Sequence, residues 1–78
     1  MHLKLRQLRH ALSVWRYGSF RRAAADQHIS QPALSRSIQN LEESLGVLLF
    51  DRQTTEVTPT AFGDALLRRA ETIVTEAA

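Results

Sequence analysis

The chain has 78 residues, no cysteine and a formal net charge of +2, which admits one small domain and excludes disulfides and thiolate metal sites. Its three histidines, His2, His10 and His28, do not share metal-ligand spacing, and no stretch approaches the roughly 20 apolar residues of a membrane span. Residues 1–40 carry seven Lys or Arg and one acid (+6) while residues 41–78 carry three Arg and seven acids (−4), an asymmetry that suits a polyanion partner for the first half.

Residues 3–17 place Leu5, Leu8, Leu12 and Trp15 at helical spacing with Val14 beside them, which predicts a helix with one apolar stripe. Trp15 belongs to that stripe and is expected in the core. Lys4, Arg6 and Arg9 are not followed by an apolar run, so this end is not read as a signal peptide and a cytoplasmic location is expected. Gly18 stops the helix. Ser19 caps a short helix in which Phe20, Ala23 and Ala24 allow close packing to about Gln27, and Ile29 sits in the turn that follows. Ser30 is the next cap, with Pro32 tolerated in the first turn. Leu34, Ile38, Leu41 and Leu45 then form one buried stripe, and Gly46 ends the helix.

Val47 to Phe50 is a short apolar run expected as a strand or buried turn, Gln53 to Glu56 is turn-like, and Val57–Thr58 can return as a second strand. Such a hairpin is too short to stand alone. Pro59 suits the first turn of a last helix from about residue 60, capped by Thr58 or Thr60. Gly63, Leu66, Ala70, Ile73 and Ala77 alternate by three and four as a heptad seam, widened by Phe62, Leu67 and Val74. A core of this size needs stabilising help, and the seam offers a second copy of the chain as its source.

These elements make a mainly α chain: a winged helix-turn-helix at residues 1–58, with the helix-turn-helix at 20–39 and the wing at about 47–58, then a dimerisation helix at 59–78. Opposite the buried stripe, helix 31–45 exposes Pro32, Arg36, Gln39 and Asn40, with Ser35 on the flank. Arg reads guanine and Gln or Asn reads adenine through the major groove, and the amides capped by Ser30 suit a phosphate. Arg36 is the leading base reader. Arg21 and Arg22 open the second helix near the expected DNA backbone. The sequence offers no Ser-His-acid set, Gly-rich phosphate loop or carboxylate pair, so neither an enzyme nor a cofactor site is expected. The competing reading is a winged helix that binds protein and uses the seam to oligomerise.

The sequence resembles the N-terminal domain of the LysR-type transcriptional regulators. Gly18-Ser19-Phe20, Ala23-Ala24, Ser30-Gln31-Pro32-Ala33-Leu34-Ser35-Arg36, Ile38, Leu41-Glu42, Leu45-Gly46, Leu49-Phe50, Arg52, Thr60 and Gly63 carry that resemblance. It implies a bacterial DNA-binding domain in which Gln31, Pro32 and Ser35 join Arg36 at the DNA and Arg52 clamps phosphate. It also implies antiparallel pairing of the last helix, tetramers in the full-length protein, an inverted-repeat operator, and a C-terminal effector-binding domain outside this chain. One departure stands out. Many members have a second basic residue three positions after the arginine matched by Arg52; here that position is Thr55, followed by Glu56, which is not the chemistry for reading a narrow minor groove.

Overall fold

The apolar stripe of the first segment gives helix α1 over Leu5–Tyr17. Leu12 and Val14 are fully buried and Leu8 and Trp15 pack against the core, whereas Leu5 at the helix start is more than one-third exposed. Gly18 closes α1 in the left-handed conformation, its N–H donating to the Val14 carbonyl. This computed structural model describes residues 4–52 and 56–77, and the side chains of those residues up to 74.

Helix α2 spans Phe20–Gln27, capped by the Ser19 hydroxyl, which accepts from the Arg22 N–H. It ends at His28, which takes a left-handed φ of 58°. The His28 and Ile29 amides donate back to the carbonyls of Ala25 and Ala24, a Schellman closure that satisfies the last carbonyls of the helix. This turn directs the chain into helix α3, Gln31–Leu45, whose Ser30 cap accepts from the Ala33 N–H. Leu34, Ile38 and Leu41 are fully buried and Leu45 is partly so. Gly46 ends α3 in the left-handed region.

Strands β1, Phe50–Asp51, and β2, Thr58–Pro59, pair antiparallel with Phe50 opposite Pro59. Two expectations are corrected here. The apolar run at 47–50 is not one strand, since Val47 and Leu48 are exposed while Leu49 and Phe50 are buried. Pro59 lies in β2 rather than in the last helix, which is α4, Ala61–Ala77. Thr60 is the cap, accepting from the Gly63 N–H at 3.0 Å and donating to the Leu48 carbonyl at 2.8 Å.

Helix α4 lies on α1. Trp15 Nε1 donates to Asp64 at 3.1 Å and Arg16 pairs with Glu71 at 3.1 Å. The expected seam divides between two faces. Leu67 and Ala70 are buried within the chain, and Leu66 and Val74 pack partly against its core. Gly63 is closest of all: a Cβ there would stand 2.0 Å from the Leu49 carbonyl oxygen, a backbone atom that cannot swing aside. Phe62 and Ile73 remain 47% and 57% exposed. At 3.6 residues per turn they lie roughly 80–100° round the helix from Gly63, on the flank of the buried face. Ala77 lies beyond the described side chains. Three helices, a hairpin and a fourth helix form the winged helix-turn-helix that the sequence predicts. Among the described residues no helix is long and apolar enough to cross a membrane.

Candidate nucleic-acid interface

Burying Leu34, Ile38 and Leu41 decides what α3 shows to solvent. Gln31, Pro32, Arg36, Gln39 and Asn40 are exposed and Ser35 is half-buried, so all six predicted α3 residues are accessible together. Arg21 and Arg22 are exposed at the start of α2. Arg21, Arg22 and Arg36 make no ion pair with a described residue. Their charges are therefore available to a polyanion. Ser30 has a structural task, since its hydroxyl is the α3 cap at 3.2 Å from the Ala33 nitrogen.

Arg52, expected as a phosphate clamp, also has a partner within the chain: its Nη2 donates to Glu42 Oε1 at 3.1 Å. The guanidinium also lies over the Phe20 ring, 5.1 Å from its centroid, and Phe20 meets Phe50 edge-on at 6.4 Å. Glu42 is only 5% exposed. Its Oε2 accepts from the Leu49 and Phe50 amides at 2.7 and 3.3 Å. Three donors offset the desolvation of this carboxylate. Arg52 thus ties the wing to α3 before any ligand arrives. Thr55 and Gln53 lie outside the described residues.

Two further polar pairs set the helix angles. His10, almost fully buried, makes a 2.7 Å hydrogen bond through Nδ1 with Ser37 Oγ, linking α1 to α3. Ser13 donates to Asp26 at 2.9 Å, linking α1 to α2. The Asp26 carboxyl is held below its ordinary value by hydrogen bonds from Gln27, Ser13 and Tyr17. In the sequence Glu42 stands out only as part of the Leu41-Glu42 family pattern, with no role attached, and this pair of contacts does not stand out. Their trace is positional: Glu42 follows Leu41 four residues after Ile38, and His10 sits two residues from both Leu8 and Leu12.

The chain matches the family described as bacterial regulatory helix-turn-helix protein, lysR family, over residues 5–64. It belongs to the LysR family. The SDS degradation transcriptional activation protein of a Pseudomonas strain is 49% identical over 90% of this chain and 23% of its own length. The transcriptional regulator CfxR of Cupriavidus necator is 43% identical over 95% of this chain and, again, 23% of its own. This LysR-family chain therefore spans about a quarter of the curated relatives it matches. Among solved structures, the BenM DNA-binding domain in complex with benA site 1 DNA superposes with a TM-score of 0.93 at 39% identity, over 96% of this chain and 84% of that one. The CbnR DNA-binding domain–DNA complex gives 0.90 at 37%, over 96% and 86%. Full-length OxyR C199D of Pseudomonas aeruginosa gives 0.93 at 36%, over 97% of this chain and 26% of that one. A regulatory family rather than an enzyme is what the sequence predicts.

The buried His10 has a consequence for stability. Burial, and secondarily the nearby Arg6 charge, hold its pKa below the ordinary imidazole value. The unfolded chain therefore binds a proton more readily than the folded one, and this contribution is complete above the unfolded value of about 6.5. It is lost as pH falls from there through the folded pKa. Asp26 and Asp64, whose pKa values are also lowered, act in a separate, more acidic window. Urea midpoints measured from pH 7.5 down to 5 should fall, and His10→Gln should flatten that slope; equal slopes in both proteins would contradict this placement of His10.

Proposed function

We propose that this chain binds duplex DNA sequence-specifically as the DNA-binding domain of a bacterial LysR-type transcription regulator, with α3 in the major groove. The observation that carries the reading is the accessible polar face of α3. Pro32, Arg36, Gln39 and Asn40 are exposed opposite the buried stripe, with Ser35 on the flank and Gln31 exposed in the first turn, in a fold similar to a DNA-binding domain solved in complex with DNA. Arg36 reads a guanine edge, and Gln39 or Asn40 an adenine edge. Arg21 and Arg22 contact phosphate. The Glu42-bound Arg52 presents its remaining N–H donors to the backbone beside the wing. Duplex binding with a steep salt dependence separates this reading from a protein-binding winged helix.

The partner for α4 is a second copy of the chain. The exposed Phe62 and Ile73, with the partly buried Leu66 between them, support an antiparallel helix pair on the flank of the face that α4 buries on α1. Gly63, Leu67 and Ala70 serve the chain's own core instead. A two-fold dimer presents two α3 helices to an inverted repeat with half-sites one helical turn or a multiple apart. In the full-length regulator, acting in the cytoplasm, dimers assemble into tetramers and a C-terminal domain senses a small molecule.

Two outcomes follow. On a duplex selected by the protein from a random library, Arg36→Ala should lose about 1–3 kcal/mol and lose little on a scrambled duplex. Equal losses on both, measured by fluorescence anisotropy, would make Arg36 a phosphate contact only. Ile73→Asp puts a charge on the exposed α4 flank, so sedimentation should show monomers and operator affinity should fall as two linked half-sites become one. A dimer of unchanged affinity would place the interface elsewhere.

A further inference from the structure

The first turns of α1 carry charge in an arrangement that costs the isolated domain stability. Lys4 occupies the N-cap, and Arg6 and Arg9 follow one turn apart, with no acidic residue in the first turn. A helix N-terminus favours anions and disfavours cations, and Arg6 and Arg9 repel each other at a spacing of three. Arg6 also opposes protonation of His10. None of the three cations forms an ion pair with a described residue. They face a groove of about 610 Å³ between α1 and α3, whose far wall holds Arg36, Ser37 and Asn40 and whose lining, among the described residues, contains no carboxylate. The 2.7 Å His10–Ser37 hydrogen bond ties the two walls together.

We propose that this groove holds the phosphodiester backbone of the DNA strand bordering the major groove that α3 enters, with Arg6 and Arg9 each neutralising a phosphate. The inference rests on the DNA-binding reading above and extends the DNA footprint to a helix outside the helix-turn-helix. Continuity fixes the occupant, because Arg36 and Asn40 belong to both the exposed face of α3 and the groove. DNA that meets those side chains in the major groove runs its backbone past the start of α1. The anion would relieve the repulsion that the free chain carries. Because the contacts are to phosphate, they add affinity without reading sequence.

The test compares the wild-type chain with Arg6→Gln/Arg9→Gln on the selected operator and on a scrambled duplex, from 50 to 200 mM salt. Arg68→Gln, which alters an exposed α4 pair with Asp64, serves as the control. Losing two phosphate contacts per protomer, four in the operator-bound dimer, lowers the slope of log K against log salt by about 3.6. The wild-type loss of affinity across that salt range should therefore shrink by roughly 150-fold. The variant should weaken on both duplexes alike, and hydroxyl-radical footprinting should lose backbone protection at the outer edges of each half-site. Arg68→Gln should keep the wild-type slope. Circular dichroism of the double variant establishes that it remains folded. An unchanged slope beside steep wild-type binding would overturn the groove assignment alone. A loss confined to the operator would show that these arginines read bases and would overturn the phosphate assignment. If the wild-type chain itself does not bind duplex DNA, the underlying reading falls and this one with it.

Discussion

A single buried carboxylate joins α3 to the wing and, through Arg52, to the start of α2. Glu42 leaves α3 on its core side and accepts from two backbone amides of the segment entering the wing and from the Arg52 guanidinium. Taking a carboxylate out of water costs several kcal/mol, so the arrangement persists only because each charge-assisted hydrogen bond is stronger than a neutral one. Its net effect is geometric: α3, β1 and, through Arg52 over Phe20, the start of α2 are held in one register. The opposite edge of the same segment is fixed by Thr60, which donates from its hydroxyl to the Leu48 carbonyl and from its N–H to the Leu49 carbonyl. Residues 48–50 are thus pinned from both sides, which is how two-residue strands persist where a free hairpin would not.

The remaining framework is arranged around α1. Its buried face receives α2, α3 and α4, and a different polar contact sets the angle of each: Ser13 to Asp26, His10 to Ser37, and Trp15 to Asp64. The exposed Arg16–Glu71 pair contributes little beside these, on the order of 0–1 kcal/mol. Close approach does more. Gly63 lets α4 rest directly on the Leu49 backbone, and a side chain there would force the helix off the core at a cost of about 1–3 kcal/mol or more. The division of charge follows the division of structure, with the basic half supplying α1, α2 and most of α3 and the acidic half supplying the carboxylates that fix the wing and α4.

The parts legible in the sequence are those set by local rules. Ser19 and Ser30 cap helices because their hydroxyls replace missing backbone acceptors, and Gly18 and Gly46 end helices because left-handed backbone costs them nothing. The Leu34–Ile38–Leu41 stripe fixes which face of α3 is exposed, and so names Arg36, Gln39 and Asn40 in advance. The illegible parts depend on what an element meets in space. Glu42 looks like a solvated helix charge until the wing folds over it. The alternation along α4 satisfies two helix faces about a quarter-turn apart, and only the packing of α4 on the rest of the chain shows that Gly63, against the Leu49 backbone, and the buried Leu67 and Ala70 are spoken for while Phe62 and Ile73 are not. Pro59 suits a helix start or an edge strand equally well; pairing with Phe50 selects the strand.

The claim on which this account turns is that Glu42 holds the wing to α3, and equilibrium urea unfolding of Glu42→Ala beside Glu42→Gln tests it most directly. Alanine orphans the buried Leu49 and Phe50 amides, at about 1–3 kcal/mol for each donor left unsatisfied, whereas the glutamine carbonyl still accepts from them. The account predicts a large loss for alanine and a clearly smaller one for glutamine. An alanine variant within about 0.5 kcal/mol of wild type, the range of an ordinary surface change, would contradict it.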